Sequence, residues 1–185
     1  GIWCVPKYSN PSGVTYSNDT VRRFAQLKPK AKDFRVFWDN AYSLHDISDR
    51  RDILLNVLEE AKKYGNGDMI FKFMSTSKVS FPGAGVAAMA ASKNNIDFIK
   101  KIMGVQTIGH DKLNQLRHAK YFGSGKNVIE HMKKHAQILR PKFEAVLDAF
   151  EKELKPLGIA NWSKPLGGYF VSLYVMDGCA KRTYA

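Results

Sequence analysis

The sequence is poor in the features that mark several common protein classes. It has two cysteines in 185 residues, Cys4 and Cys179, too few for a disulfide framework or a cysteine zinc site. This usage fits a reducing, cytoplasmic setting. No apolar run approaches the ~18 residues that a membrane span needs, so no membrane partner is expected. No charged stretch followed by an apolar core reads as a signal peptide. Repeats and low-complexity stretches are absent. Acidic residues are scarce, with 17 Asp+Glu against 29 Lys+Arg and a formal net charge of +12. What is present is a capacity to fold: 44% hydrophobic and 12% aromatic residues can fill a core, which excludes intrinsic disorder.

Periodicity divides the chain into strands and helices. Apolar runs at 2–5, 34–38, 69–74 and 86–91 read as buried strands. Between them lie a helix carrying Val21, Phe24 and Leu27 on one face and ended by Pro29, and a helix of about 14 residues opened by Ser48 or Asp49. The second helix has Ile53, Leu54, Val57, Leu58 and Ala61 at helical spacing and is stopped by Gly65 and Gly67. The order β-α-β-α-β-β with non-alternating strands predicts a mostly parallel α/β sheet with helices on its faces. Helices follow at 93–103 and 109–122. One long apolar stripe over 126–155 predicts a single helix, kinked at Pro141. A last strand is expected at 168–175, and Asp177 is expected to cap a final helix.

In open α/β sheets ligands bind at the carboxyl ends of the strands, so the polar residues after each strand are the candidates. Tyr8, Asn10 and Gly13 follow the first, Asp39, Asn40 and Tyr42 the second, and Ser75, Ser77 and Lys78 the third. Adjacent parallel strands would bring these sets into one crevice. The set contains no metal-ligand cluster, no Ser–His–Asp arrangement and no catalytic cysteine environment. A lysine placed after a buried strand is expected to be partly desolvated, which makes its amine a candidate nucleophile for a carbonyl. A carboxylate suits a protonated ring nitrogen, a phenol and an amide suit a phenolic oxygen, and two hydroxyls with backbone N–H groups suit a phosphate. Those are the groups pyridoxal 5'-phosphate requires. The five histidines show no shared metal spacing, and His131 and His135, four apart, read as a solvated helix face. No metal is expected.

Asn10-Pro11-Ser12-Gly13, Asp39-Asn40-Ala41-Tyr42 and Ser75-Thr76-Ser77-Lys78 resemble the NPxG, DxxY and SxSK motifs of the class I (fold type I) pyridoxal-phosphate-dependent aminotransferases. The separations, 29 residues from Asn10 to Asp39 and 39 from Asp39 to Lys78, are similar to those of that family. Gly167-Gly168-Tyr169-Phe170 resembles the glycine-aromatic strand of its small domain. The stretch from Gly104 to Arg117 and the ending Asp177–Arg182 resemble the aspartate-aminotransferase-related subgroup that is also similar to the enzymatic domain of MocR-type regulators.

The resemblance implies a three-layer sheet belonging to a PLP-transferase large domain, then a long kinked helix into part of an α+β small domain. The boundaries it implies are 1–125 for the C-terminal half of the large domain, 126–155 for the connecting helix and 156–185 for the beginning of the small domain. It implies that Lys78 is the Schiff-base lysine and proton carrier, that Asp39 pairs with the pyridinium nitrogen, that Tyr42 and Asn10 bind the phenolic oxygen, and that Ser75 and Ser77 face the phosphate. It implies an aminotransferase acting on amino acid and 2-oxo acid substrates, homodimeric in the full-length protein. One departure stands out: Gly85 falls where the family has a phosphate-binding arginine, leaving Ser80 as a nearby candidate. A lyase or decarboxylase using the same cofactor, or a ligand-sensing domain of a MocR-like regulator, are the alternatives. Nothing resembles a helix-turn-helix, so nucleic acid is not expected as a partner. The absence of an initiator Met and the incomplete last helix lead us to expect an internal fragment of a longer protein, inactive alone.

Overall fold

The computed structural model describes residues 1–184. The final residue of the expected 156–185 unit lies outside the described residues. Four short strands, β1 (Ile2–Cys4), β2 (Val36–Asp39), β3 (Ile70–Ser75) and β4 (Ala87–Ala91), form one sheet in sequence order. β1, β2 and β3 are parallel, with Ile2 opposite Val36 and Val36 opposite Ile70, whereas β4 returns antiparallel to β3. The expected mostly parallel sheet is therefore present, with one antiparallel strand at its edge.

Two helices cover one face. α1 (Asn18–Ala25) starts where the Ser17 side chain accepts from the backbone N–H of Thr20, and α2 (Val57–Lys63) where the Asn56 side chain accepts from Leu58. Both caps satisfy donors that a helix start leaves unpaired. Val21 and Ala25 of α1 and Val57 and Ala61 of α2 close over Cys4, Val36, Trp38 and Ile70, all buried. Tyr16 and Phe24 stack at 5.9 Å and meet the Trp38 ring edge-on at 5.9 and 5.7 Å, a geometry favoured by the ring quadrupoles. The opposite face of the sheet carries Trp3, Phe37, Phe71 and Phe73 in a row of stacked rings 5.5–6.4 Å apart. α3 (Lys93–Gln106) lies on this side, its Phe98, Ile99 and Met103 lining a cavity of about 1300 Å³ with the aromatic row.

α4 (Lys112–Phe122) and α5 (Gly125–Ala149) follow, joined at Gly123 and capped by Asp111 and Ser124. α5 continues in one wider turn over Phe150–Leu154. Phe122 of α4 and Met132 of α5 bury Val79 in a second core, so the residue after Lys78 is fastened between these helices. A two-stranded antiparallel pair, β5 (Ala160–Trp162) and β6 (Leu173–Val175), and a short α6 (Ala180–Tyr184) complete the order. Among the described residues, no helix is long and apolar enough to cross a membrane.

Two expectations require correction. The helix expected from residue 48 or 49 begins only at Val57, because Leu55 donates its backbone N–H to the Asn18 side chain and Asn56 then caps the helix. Ile53, counted on the apolar stripe, is 82% exposed. The strand expected over 168–175 is confined to β6. Gly168 holds φ +79° and donates its N–H to the carbonyl of His45, so this stretch packs against the sheet end instead of extending β6. A Cβ on Gly168 would stand 2.6 Å from that of Tyr8, which leaves room for glycine alone. As expected, α5 runs through Pro141 as one helix.

Candidate active site

The carboxyl ends of β1, β2 and β3 lead into three turns that meet. After β1, Lys7 and Tyr8 are buried. The Lys7 ammonium donates to an Asp46 carboxylate oxygen at 2.7 Å and to the Ser43 carbonyl at 3.1 Å, and the Tyr8 hydroxyl donates to the same Asp46 oxygen at 2.6 Å. Burial, with Asp46 adding to it, pushes the Tyr8 phenol far above its usual range. This network ties the chain after β1 to the turn after β2, and the following Asn10-Pro11-Ser12-Gly13 turn is closed by Gly13 N–H on the Ser9 carbonyl at 2.7 Å.

Asp39 ends β2. Its carboxylate accepts from the backbone N–H of Ala41 at 3.0 Å and from the Trp3 indole at 3.3 Å. The adjoining Asn40 N–H donates to the Phe73 carbonyl at 2.8 Å, which holds this turn beside β3. Tyr42 follows, 4% exposed, with the rings of His45, Tyr169 and Phe170 edge-on at 5.6, 6.0 and 6.1 Å. Burial raises the Tyr42 phenol above its usual range, the Asp39 charge adds to this, and a hydrogen bond from the Asn10 side chain opposes it. Asn10, Asp39 and Tyr42, separated in sequence, are thus neighbours.

β3 ends in a tight turn. Val79 and Ser80 donate their backbone N–H groups to the Thr76 carbonyl at 2.9 and 2.8 Å, and Thr76 N–H donates to the Val86 carbonyl at 2.8 Å. Lys78 sits on this turn with its Nζ 5.2 Å from the centroid of the Tyr42 ring. Its side chain is exposed, so these 185 residues do not supply the desolvation expected for it. The Ser75 hydroxyl donates to that of Ser77 at 3.2 Å. Gly85 approaches the same turn: a Cβ there would lie 3.1 Å from Ser77 Oγ and 3.3 Å from Ser77 N. A side chain at 85 would crowd Ser77, so glycine permits this close approach to two hydroxyls and a backbone N–H. Asp39, Ser75 and Gly85 all line the cavity of about 1300 Å³ on the aromatic face. Ser80, the other phosphate candidate, points elsewhere: its hydroxyl lies 2.6 Å from His118 Nε2 and 3.2 Å from the Thr76 carbonyl, so it is already used within the fold.

Pyridoxal phosphate fits this donor set. An amine, a carboxylate, a phenol beside an amide, and hydroxyls at the end of β3 are the kinds of group that the ring and phosphate of that molecule require. No group of three or more His, Cys, Asp or Glu able to hold a metal occurs among the described residues. Beyond Tyr169, which belongs to the glycine-aromatic motif, the histidines at the site carried no functional sequence signal. His45, 2% exposed, and Tyr169 approach the Lys78 carbonyl at 3.1 and 3.4 Å, and His131 approaches that of Val79 at 2.9 Å. His131 and His135 are half-buried with their rings 4.6 Å apart, not the solvated pair expected.

Comparison with known proteins matches the sequence and fold of the chain to aminotransferases. A family model described as aspartate amino-transferase matches residues 1–185. A Mycolicibacterium smegmatis protein named as an aminotransferase is 48% identical over 185 residues, covering 100% of this chain and 43% of that protein. The aspartate aminotransferase of Corynebacterium glutamicum is 41% identical over 182 residues, covering 98% and 42%. A crystal structure from Corynebacterium diphtheriae, described as an aminotransferase, superposes with a TM-score of 0.93 at 46% identity and covers 97% of this chain and 44% of its own. The chain thus spans less than half the length of these relatives.

Proposed function

Because the chain belongs to the aspartate aminotransferase family, we propose that the whole protein moves an amino group from an amino acid to a 2-oxo acid, with pyridoxal phosphate held on Lys78. The observation that carries this reading is the convergence of Lys78, Tyr42, Asp39 and Asn10 from three strand ends, with Lys78 Nζ 5.2 Å from the centroid of the Tyr42 ring.

When bound, the cofactor supplies an electron sink for charge developing on the substrate carbon. Lys78 Nζ would be the amine that holds it and the base that moves a proton at the substrate carbon. Asp39, already oriented by Ala41 N–H and the Trp3 indole, keeps a proton on the ring nitrogen. The Tyr42 hydroxyl and Asn10 amide hold the phenolic oxygen. Ser75 and Ser77 would hold the phosphate, without a side-chain cation at position 85.

The same reading assigns 1–125 to the later half of a large cofactor domain, 126–155 to the connecting helix and 156–185 to the start of a small domain. Lys78 is exposed and the aromatic row faces an open cavity. Both features support a site that further chain, or a partner subunit in a homodimer, completes. The two free cysteines fit a cytoplasmic protein. The test is an amino-transfer assay of the complete protein with pyridoxal phosphate, against Lys78→Ala. The expected result is turnover that falls by at least about a hundredfold in the variant. Equal turnover in the two proteins overturns the assignment.

A further inference from the structure

Three histidines from three different elements close on the five-residue turn that carries Lys78. His45 comes from the turn after β2, and its Nε2 lies 3.1 Å from the Lys78 carbonyl. His131 comes from α5, and its Nε2 lies 2.9 Å from the next carbonyl, that of Val79. His118 comes from α4, and its Nε2 lies 3.0 Å from the Thr76 hydroxyl and 2.6 Å from the Ser80 hydroxyl.

The partners fix the tautomers. A carbonyl only accepts, so Nε2 of His45 and of His131 carries the proton and donates. His118 is the reverse: its Nδ1 lies 2.8 Å from the Asn114 carbonyl and must donate there, so its single Nε2 lone pair accepts from one of the two hydroxyls at a time. The Thr76 hydroxyl oxygen meanwhile accepts from Val86 N–H at 2.8 Å, which extends the grip to the chain entering β4. The rings are themselves held. His45 lies edge-on to Tyr169 at 5.3 Å, His131 edge-on to Phe122 at 5.3 Å, and His118 tilted against Phe122 at 6.1 Å.

We propose that His45, His118 and His131 are positioning residues for Lys78, holding the turn 76–80 while leaving the lysine side chain free. The proposal rests on the reading of Lys78 as the cofactor lysine, but the grip itself does not depend on a cofactor. A lysine side chain has four flexible bonds, so its amine can be aimed only if its backbone is fixed, and working sites need placement within about 0.5 Å. Each contact goes to a backbone carbonyl or a hydroxyl of the turn and none to the Lys78 amine. The histidines therefore act through the backbone.

Two measurements on the complete protein test this. In 15N-histidine-labelled, cofactor-free protein, the nitrogen shifts should report His45 and His131 as Nε2–H tautomers and His118 as the Nδ1–H tautomer. Any other pattern overturns the assignment of contacts. The second compares asparagine with glutamine at each position, since glutamine reaches the place of Nε2 and asparagine falls short. Amide exchange at Val79 and Ser80 should rise at least tenfold in His45→Asn, His118→Asn and His131→Asn, recover in the glutamine variants, and stay unchanged in β3. Borohydride-trapped labelling of Lys78 by pyridoxal phosphate should slow several-fold in the asparagine variants only. Unchanged exchange at 79–80, loss of protection throughout β3, or faster exchange with unaltered Lys78 labelling each overturns the proposal for that histidine. Absence of labelling in the unsubstituted protein would instead remove the cofactor reading, while tautomers and exchange would still decide the histidine contacts.

Discussion

His45 Nε2 stands 3.1 Å from the carbonyl oxygen of Lys78, so a side chain launched from the end of β2 holds the backbone beyond the end of β3. Three residues before His45, the Tyr42 ring lies below the Lys78 amine. One turn therefore supplies both a ring beside the lysine and an anchor for its main chain.

The His45 imidazole makes the protein sensitive to acid. Burial holds it below its ordinary value of 6.5, with the Lys78 and His135 charges acting in the same direction, and the Lys78 carbonyl and Asp46 opposing. Tyr42 and Tyr169 pack against it as well. A histidine depressed in the folded state leaves the unfolded chain binding more protons below pH 6.5, so stability rises with pH there. The contribution is complete above about pH 6.5 and is lost as pH falls through the lower folded value. Urea titrations at several pH values should show the midpoint dropping below pH 6.5, and His45→Gln should flatten that slope.

Asp46 binds two buried partners at once, Lys7 and Tyr8. Asp46→Ala would strand an ammonium that is 90% buried by side-chain area together with a buried phenol. Breaking such a pair from one side costs about 3–5 kcal/mol. Thermal or denaturant unfolding should register a loss of that size, and Asp46→Asn, which keeps an acceptor, should lose less.

Asp39→Asn retains an oxygen for the Ala41 N–H and removes the charge that the proposed function sets against the ring nitrogen. A hydrogen bond to a charged group contributes about 1.5–3 kcal/mol, so kcat/KM for amino transfer should fall by about ten- to a hundredfold, with little change in unfolding midpoint.

Gly85 packs closely against Ser77. Gly85→Ala places a Cβ 3.1 Å from Ser77 Oγ and should weaken pyridoxal phosphate by about tenfold, equivalent to ~1.4 kcal/mol. Pyridoxal, which lacks the phosphate, should be affected much less. Binding titrations with both molecules check the difference.

Much of the site is legible in the sequence because its residues follow buried strands at fixed separations. Asp39 and Lys78 are found by asking what comes after an apolar run, and Asn10 and Tyr42 by the motifs around them. The helix expected from residue 48 or 49 is wrong because one side chain, Asn18, takes the N–H of Leu55, and no periodicity reports that. The histidines escape notice for a related reason. Their partners are mostly backbone carbonyls, which every residue has, so no pairing of residue types in the sequence points to them. Ser80 looks like a phosphate group by proximity, yet its hydroxyl is drawn to His118 on a helix more than thirty residues later.

The central claim is that Lys78 carries the cofactor, and the most direct measurement is the site of covalent labelling. The complete protein is incubated with pyridoxal phosphate, reduced with borohydride, digested and sequenced by mass spectrometry. The account predicts a reduced pyridoxyl group on Lys78 in near-stoichiometric amount, absent in Lys78→Ala. A label spread over surface lysines, or concentrated on another lysine while Lys78 stays unmodified, would contradict it.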